Sequence, residues 1–253
     1  MGRGMNQKSY LRASARWLAV GVGVTAAADG AYVGITWFRY GDAAPPSPEE
    51  QDPLLDRFMP SYDVAERHHV RIAAPSALTL AAAREVDLQG SPLVRAIIKA
   101  REVILGATRD DRPRPRGLLA EVQVLGWGVL AEVPERELVV GAVTKPWEAN
   151  VTFRALPPDR FAAFSEPGYV KIAWTLRAES IGTTDSIFRT ETRAVATDAI
   201  ARARFRRYWA FLSPGIILIR WAILGPLKSE AERRARDEGS STQTERLAEP
   251  RSR

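Results

Sequence analysis

Histidine and cysteine do much of the chemistry open to side chains near neutral pH, and this chain has two of the first and none of the second. Without cysteine there is no disulfide, no thiol nucleophile and no thiolate metal site. His68 and His69 are neighbours. On a strand, neighbouring side chains point to opposite faces, so the two do not converge on one ion and no metal is expected. His68 falls on the apolar face of the alternating run Ser61–Ala74. There an imidazole, with its ordinary pKa of about 6.5, could serve as a base inside a cavity. A hydrogen-bonded structural histidine is the plainer reading of the same position. No acid or nucleophile is spaced to partner it, so no catalytic residue is assigned, no cofactor is implied, and binding is favoured over catalysis.

The other side chains of interest sit on two later runs, Tyr169–Glu179 and Ser186–Ala196, flanking the turn IGTTD. Alternation groups Val170, Ile172, Trp174 and Leu176 on one face of the first run. It groups Phe188, Thr190, Thr192 and Ala194 on one face of the second. An aromatic wall with two hydroxyls suits an amphiphilic ligand. Trp174, Thr190 and Thr192 are therefore the leading cavity candidates, with Trp127, Trp147, Phe153 and His68 after them; ordinary core packing is the alternative. The opposite faces carry Arg177, Arg189, Glu191 and Arg193. These read as a solvent-exposed ladder of ion pairs rather than as an anion site.

The elements that must hold these residues follow from pattern. Ser61–Ala74 is a strand stopped by Pro75, and Ser76 is placed to cap a helix from Ala77 to about Glu85. Ser91-Pro92 opens a second helix with Leu93, Val94, Ile97, Ile98, Ile104 and Leu105 on one broad face. RDDRPRPR, residues 109–116, is a charged loop. Ala120–Val133 and Glu137–Val143 flank Pro134-Glu135-Arg136 as a hairpin, and Val151–Leu156 is a short strand. Asp198 caps a long helix that Ser213-Pro214-Gly215 should break, with a second helical stretch from Ile216 to about Asp237. Residues 41–60 read as a proline-rich acidic spacer and 238–253 as a disordered polar tail. One domain, residues 61–237, remains between them, large enough for a real core.

Residues 1–40 set the address. Trp17–Phe38 is twenty-two residues with one charge, Asp29. About 20 helical residues cross a hydrocarbon core of about 30 Å. Arg3, Lys8, Arg12 and Arg16 precede it with no acid. That flank would keep the N-terminus in the cytoplasm, anchor the chain in the cytoplasmic membrane and place the domain outside. Gly21, Gly23, Gly30 and Gly34 suit a membrane span better than a water-exposed helix, while Asp29 argues against one. A basic flank, an apolar stretch to Thr25 and the small residues Ala26–Ala28 also describe a cleaved signal peptide and a secreted form. A buried helix of a soluble domain is the third reading. The net charge of +6 is concentrated in residues 1–16 and 199–227, where no acid occurs. No helix-turn-helix or zinc-finger spacing accompanies it, so no nucleic-acid partner is expected. Basic segments beside a membrane attract anionic headgroups instead.

Strand, two helices, a run of antiparallel strands and a long C-terminal helix is the order of the helix-grip fold. The segments HVRIAAPSALTL, GWGVLAEVPERELVVG, PGYVKIAWTLRAES and FRTETRAVATDAIARARFRRYWAFLSPGIILIRWAIL resemble those of a bacterial branch of the START/Bet v 1-like (SRPBCC) superfamily. The resemblance covers roughly residues 61–237. It implies an α+β helix-grip fold, a curved antiparallel sheet around the C-terminal helix, here with an N-terminal transmembrane helix added. It also implies an internal apolar cavity that binds a hydrophobic small molecule or lipid. Some members of the superfamily carry cyclase or hydrolase-type chemistry, but no catalytic signature of the cyclases maps onto this chain. The expectation is a membrane-anchored binding domain. A polyketide cyclase-type enzyme and a non-catalytic domain with a filled core are the alternatives.

Overall fold

The computed structural model describes residues 30–108 and 115–248. Six strands form one antiparallel sheet: β1 (Val64–Ile72), β2 (Gly128–Val133), β3 (Glu137–Thr144), β4 (Phe153–Arg154), β5 (Val170–Ser180) and β6 (Ser186–Ala196). Their order is β1-β6-β5-β3-β2, with β4 added to β3. Register brings His68 opposite Thr190, Glu66 opposite Thr192, and Thr192 opposite Trp174. The even-numbered residues of these strands thus share one face, the inner one. Together with the long helix α7 (Ala199–Ala248) this is the α+β arrangement anticipated from the order of elements.

α7 crosses the inner face and is packed at two places. Phe205 and Trp209 meet Val64, Val170 and Ala194. Further along, Ile223, Leu227 and Ala231 meet Ile72, Leu138, Trp174 and Phe188. Helices α3 (Ser76–Glu85) and α5 (Leu118–Val124) complete that second cluster through Leu80, Ala83, Leu118 and Val122. α4 (Pro92–Leu105) starts as expected, with Ser91 capping through its hydroxyl and a proline in the first turn. Asp198 accepts from the amides of Ile200, at 2.7 Å, and Ala201, at 2.9 Å, at the start of α7.

Several sequence expectations change. Ser76 is not a cap: it is the first residue of α3, Pro75 holds the cap position, and the Ser76 hydroxyl accepts from that of Ser180. Ala120–Val133 is not one strand, because Leu118, Glu121 and Val122 are buried at helical spacing and form α5 before β2 begins. A short helix, α6 (Pro158–Ala163), follows Pro157 and buries Phe161 completely. α7 runs through both Pro214 and Pro226. An internal proline costs about 3 kcal/mol through its missing N–H and ring clash. The packing of α7 on both sides of Pro214 offsets that. The helix continues to Ala248 where a patternless tail was expected from Gly239. Extending an established helix adds a bond for each residue fixed, so no apolar face is required there.

The outer face of the sheet is covered. The segment expected as a free spacer lies along it: α2 (Pro53–Asp56) and the residues after it bury Leu55, Phe58 and Met59 against Val139, Val143, Ala173 and Phe161. The charged ladder beneath is therefore not solvated. Arg193 is 1% exposed and Glu191 5%. Arg177 donates to the carbonyl of Gln51 at 2.7 Å, and Arg189 lies 3.5 Å from Glu49.

Two carboxyl groups meet where this segment docks. Asp52 caps α2 by accepting from the Leu55 amide at 2.8 Å, and it hydrogen-bonds Glu137 on β3; both acids are buried. Burial, with the Asp52 charge and hydrogen bond adding to it, pushes the Glu137 pKa from 4.5 up to about 8, against Arg177 and Arg136. A raised carboxyl pKa contributes its full stability below its ordinary value near 4.5 and loses it as pH rises through about 8. Glu137→Gln keeps the hydrogen-bonding shape and cannot ionise. The wild type is therefore expected to lose about 1–2 kcal/mol more than this variant between pH 6 and pH 9 in urea melts. Parallel pH profiles would rule the pair out as the cause.

Most of Trp17–Phe38, with Asp29 and Ala26–Ala28, lies outside the described residues. Its last part is helix α1, residues 30–39. α1 runs antiparallel to α7: the Tyr32 hydroxyl is 3.0 Å from that of Ser213, and Arg206 donates to the carbonyl of Trp37 at 2.6 and 2.9 Å. Arg206 is thus used inside the fold, stacked over the Trp37 ring, and Arg202 pairs with Asp63 at 2.9 Å.

Candidate ligand-binding cavity

Between its two packed regions α7 stands off the sheet and leaves a cavity of about 610 Å³. Volumes of roughly 300–1,000 Å³ hold small organic ligands. The sheet contributes Val64, Ile172, Thr192 and Ala194. α7 contributes Phe205, Tyr208, Trp209, Ile216 and Arg220. α4 closes one side with Ile98 and Arg101, and the connection from β3 to β4 closes another, from Pro146 to Phe153. The wall is mainly apolar, with a few polar groups at fixed places.

One end is shaped by a helix stop. α5 ends in a Schellman motif: the Gly126 amide donates to the Gln123 carbonyl and the Trp127 amide to the Val122 carbonyl, each at 3.0 Å. Gly126 has φ +100°, in the region that favours glycine. The motif turns Trp127 inward, where its ring lies tilted on Phe153 at 4.9 Å and edge-on to Trp174 at 6.1 Å.

The residues singled out from the sequence divide into two groups. Thr192 and Trp127 line the cavity, and Phe153 does too. Trp174 is 3% exposed and lies behind the lining, beneath Arg220 and against Trp127. Thr190 is buried as well. Its hydroxyl donates to the Thr175 carbonyl at 2.7 Å, where the pairing of β5 with β6 is interrupted, and the Thr175 hydroxyl accepts from the Glu191 amide at 3.2 Å. These threonines therefore repair a gap in the ladder. Trp147 stacks under Arg204 at 6.0 Å, beside the cavity rather than in it.

His68 is on the inner face, edge-on to Trp221 at 5.8 Å and outside the cavity lining. Among the described residues its buried Nε2 has no hydrogen-bond partner, where a bonded structural histidine was anticipated. Burial, then Arg220 and His69, hold its pKa below the ordinary value. At neutral pH it is an uncharged ring with no partnered acid.

What sequence reading missed is the contribution of α7 and α4. Phe205, Tyr208, Trp209, Ile216 and Arg220 recur at helical spacing, and that period places Arg220 on the cavity face. Among the described residues no group of three or more histidines and acids could hold a metal ion.

No family model matches the chain, and no curated protein does. Solved structures give distant likenesses. A hypothetical protein from Helicobacter pylori matches with a TM-score of 0.36 and 9% identity, over 74% of this chain and 99% of that one. BexL, a di-domain aromatase/cyclase from the BE-7585A biosynthetic pathway, matches with a TM-score of 0.25 and 17% identity, over 66% of this chain and 46% of that one. The Zhui aromatase/cyclase from a Streptomyces species matches with a TM-score of 0.22 and 14% identity, over 67% and 94%.

Proposed function

We propose that this chain binds a hydrophobic, lipid-like small molecule in the cavity under α7, and that residues 17–38 hold it at the membrane. The cavity carries the reading: a mainly apolar space of about 610 Å³ between sheet and helix, with convergent polar groups at Thr192 and Arg220. No reaction is assigned, because the imidazole of His68 stands outside the lining.

Two features support the membrane location. The segment from Trp17 to Phe38 carries one charge in twenty-two residues. Beside α1, the apolar part of α7 packs on the sheet at either end, and only 22% of it is buried. Phe38, Phe211 and Trp221 are exposed there, at 82%, 66% and 63%. A core helix would bury such rings, whereas a helix pair resting in headgroups or lipid leaves them outward.

One preparation tests both parts. The full chain is expected in the membrane pellet after a carbonate wash, and release into the supernatant would refute the anchor. Solvent extraction of the purified full chain, followed by mass spectrometry, should yield about one apolar molecule per protein. Thr192→Phe projects a ring into the cavity and should lower that yield at least tenfold without lowering the melting temperature. Equal yields from both proteins would mean that the molecule is carried outside the cavity.

A further inference from the structure

Two arginines line the cavity, Arg101 and Arg220, and among the described residues neither has a counter-ion; Arg220 also lacks a carbonyl partner. Its guanidinium carbon stands 5.4 Å from the centre of the Trp174 ring, and Nη1 is 3.5 Å from the Thr190 hydroxyl, at the outer limit of a hydrogen bond. That hydroxyl is already committed to the Thr175 carbonyl. Among the described residues no carboxylate lies within ion-pair distance of Arg220. Glu66, on the same face of β1, acts on it only through the longer-range field. Other shielded arginines are paired: Arg193 with Glu191 and Asp56, Arg67 with Glu191, Arg177 and Arg189 with Glu179. Arg101, the second arginine of the cavity wall, donates to the carbonyls of Pro146 at 3.1 Å and Glu148 at 3.5 Å and to the Tyr208 hydroxyl.

Arg220 is half-buried; a cation partly withdrawn from water without a partner is destabilising, and an arginine stays charged at neutral pH all the same. Burial pushes the Arg220 pKa down to about 10, with Glu66 pulling weakly the other way. The neighbouring His68 adds no negative charge, and burial also raises the pKa of Glu66. The wall thus carries Arg220 and Arg101 against one lining carboxylate, Glu102, which is not within ion-pair distance of Arg220.

Resting on the cavity being a ligand site, we propose that its ligand is a long-chain monocarboxylate whose head group pairs with Arg220. The planar guanidinium matches a carboxylate through two N–H donors. The Thr192 hydroxyl lies in the same wall. The hydrocarbon tail lies against Ile172, Ala194, Phe205, Trp209 and Ile216. Arg101 spends its donors on the Pro146 and Glu148 carbonyls and the Tyr208 hydroxyl, which leaves Arg220 to the head group, and one guanidinium suits a singly charged head.

The test is equilibrium dialysis of radiolabelled hexadecanoate and hexadecan-1-ol against the full chain in nanodiscs, with empty nanodiscs subtracted. The two probes share a chain length and differ in charge. Wild type should bind the acid at least tenfold more tightly than the alcohol. Arg220→Met should abolish that preference while holding the alcohol within about threefold, since the change replaces a half-buried charge by an apolar side chain. Arg220→Lys keeps the charge without the planar fork and should retain part of the preference. Equal binding of acid and alcohol by wild type overturns the head-group assignment and leaves the apolar cavity standing. So does a preference that survives in Arg220→Met. Binding of neither probe overturns the cavity reading and this inference with it.

Discussion

Arg193→Met should destabilise the protein by about 3–5 kcal/mol, the cost of breaking a buried ion pair on one side. Arg193 is 1% exposed on the outer face of β6. Its guanidinium donates to Glu191 at 2.8 Å, to Asp56 at 2.5 Å and to the Met59 carbonyl at 2.8 Å, and it stacks over Tyr62 at 4.7 Å. Burial opposes its charge, but the hydrogen bonds and charges of Glu191 and Asp56 outweigh that and hold its pKa above the ordinary value. Without Arg193, Glu191 is left with Arg67 at 2.9 Å and an Oε2 that already has no partner. The segment of α2 also loses its tie to the sheet. A chemical denaturation curve measures the loss. Removing both charges, in Arg193→Met with Glu191→Leu, should recover part of it, because Arg67 then loses its carboxylate and keeps only the Ala44 carbonyl and the Tyr62 hydroxyl. A double variant as unstable as the single one would point to lost packing instead. Asp56→Asn should cost under about 1 kcal/mol, since that side chain is 51% exposed.

Gly126→Ala should cost about 3 kcal/mol or more, from two sources that add. A side chain at positive φ is strained by roughly 1–2 kcal/mol. In addition, a β-carbon there would sit 2.2 Å from the Phe153 carbonyl oxygen, a backbone atom that cannot swing aside. Relieving that contact must move β4 or the end of α5, and overpacking of this kind costs about 1–3 kcal/mol. The shift carries Trp127 off Phe153 and Trp174, so ligand recovery should fall together with the melting temperature. Gly182→Ala is the control, since nothing lies within 4 Å of its added carbon. A loss under about 1 kcal/mol in Gly126→Ala would show that the turn relaxes freely.

Much of the sheet was legible. Ser186–Ala196 alternates cleanly and is β6 residue for residue, and Tyr169–Glu179 differs from β5 by one position at each end. Period-two patterning is strong where one face packs on α7, so these boundaries follow from burial alone. α5 was not legible because LLAEVQVLGWGVL mixes helical and alternating spacing over too few residues for either period to dominate. Trp174, Thr190 and Thr192 were grouped correctly on one face, but whether a group lines a space or fills it depends on how far α7 stands off. That distance is set by contacts at Trp209 and Ile223 on either side of the gap.

The charge ladder shows the same division in electrostatic form. Its alternation with the apolar face could be read directly, and the face opposite an apolar one is ordinarily wet. Here Leu55, Phe58 and Met59 cover it, and that outcome turns on three apolar residues in a stretch otherwise rich in proline and acid.

The sequence by itself determined the order of the elements, the inward set of each long strand and the absence of cysteine chemistry. These depend on local period and composition, which a neighbour hundreds of ångströms of chain away cannot change. Only the tertiary structure decided which arginines are neutralised. Counter-ions come from residues far apart in sequence: Asp56 reaches Arg193 and Glu49 reaches Arg189, while no carboxylate among the described residues reaches Arg220. Coulomb energy depends on separation and on the exclusion of water, and neither quantity exists until the chain has folded around the charge.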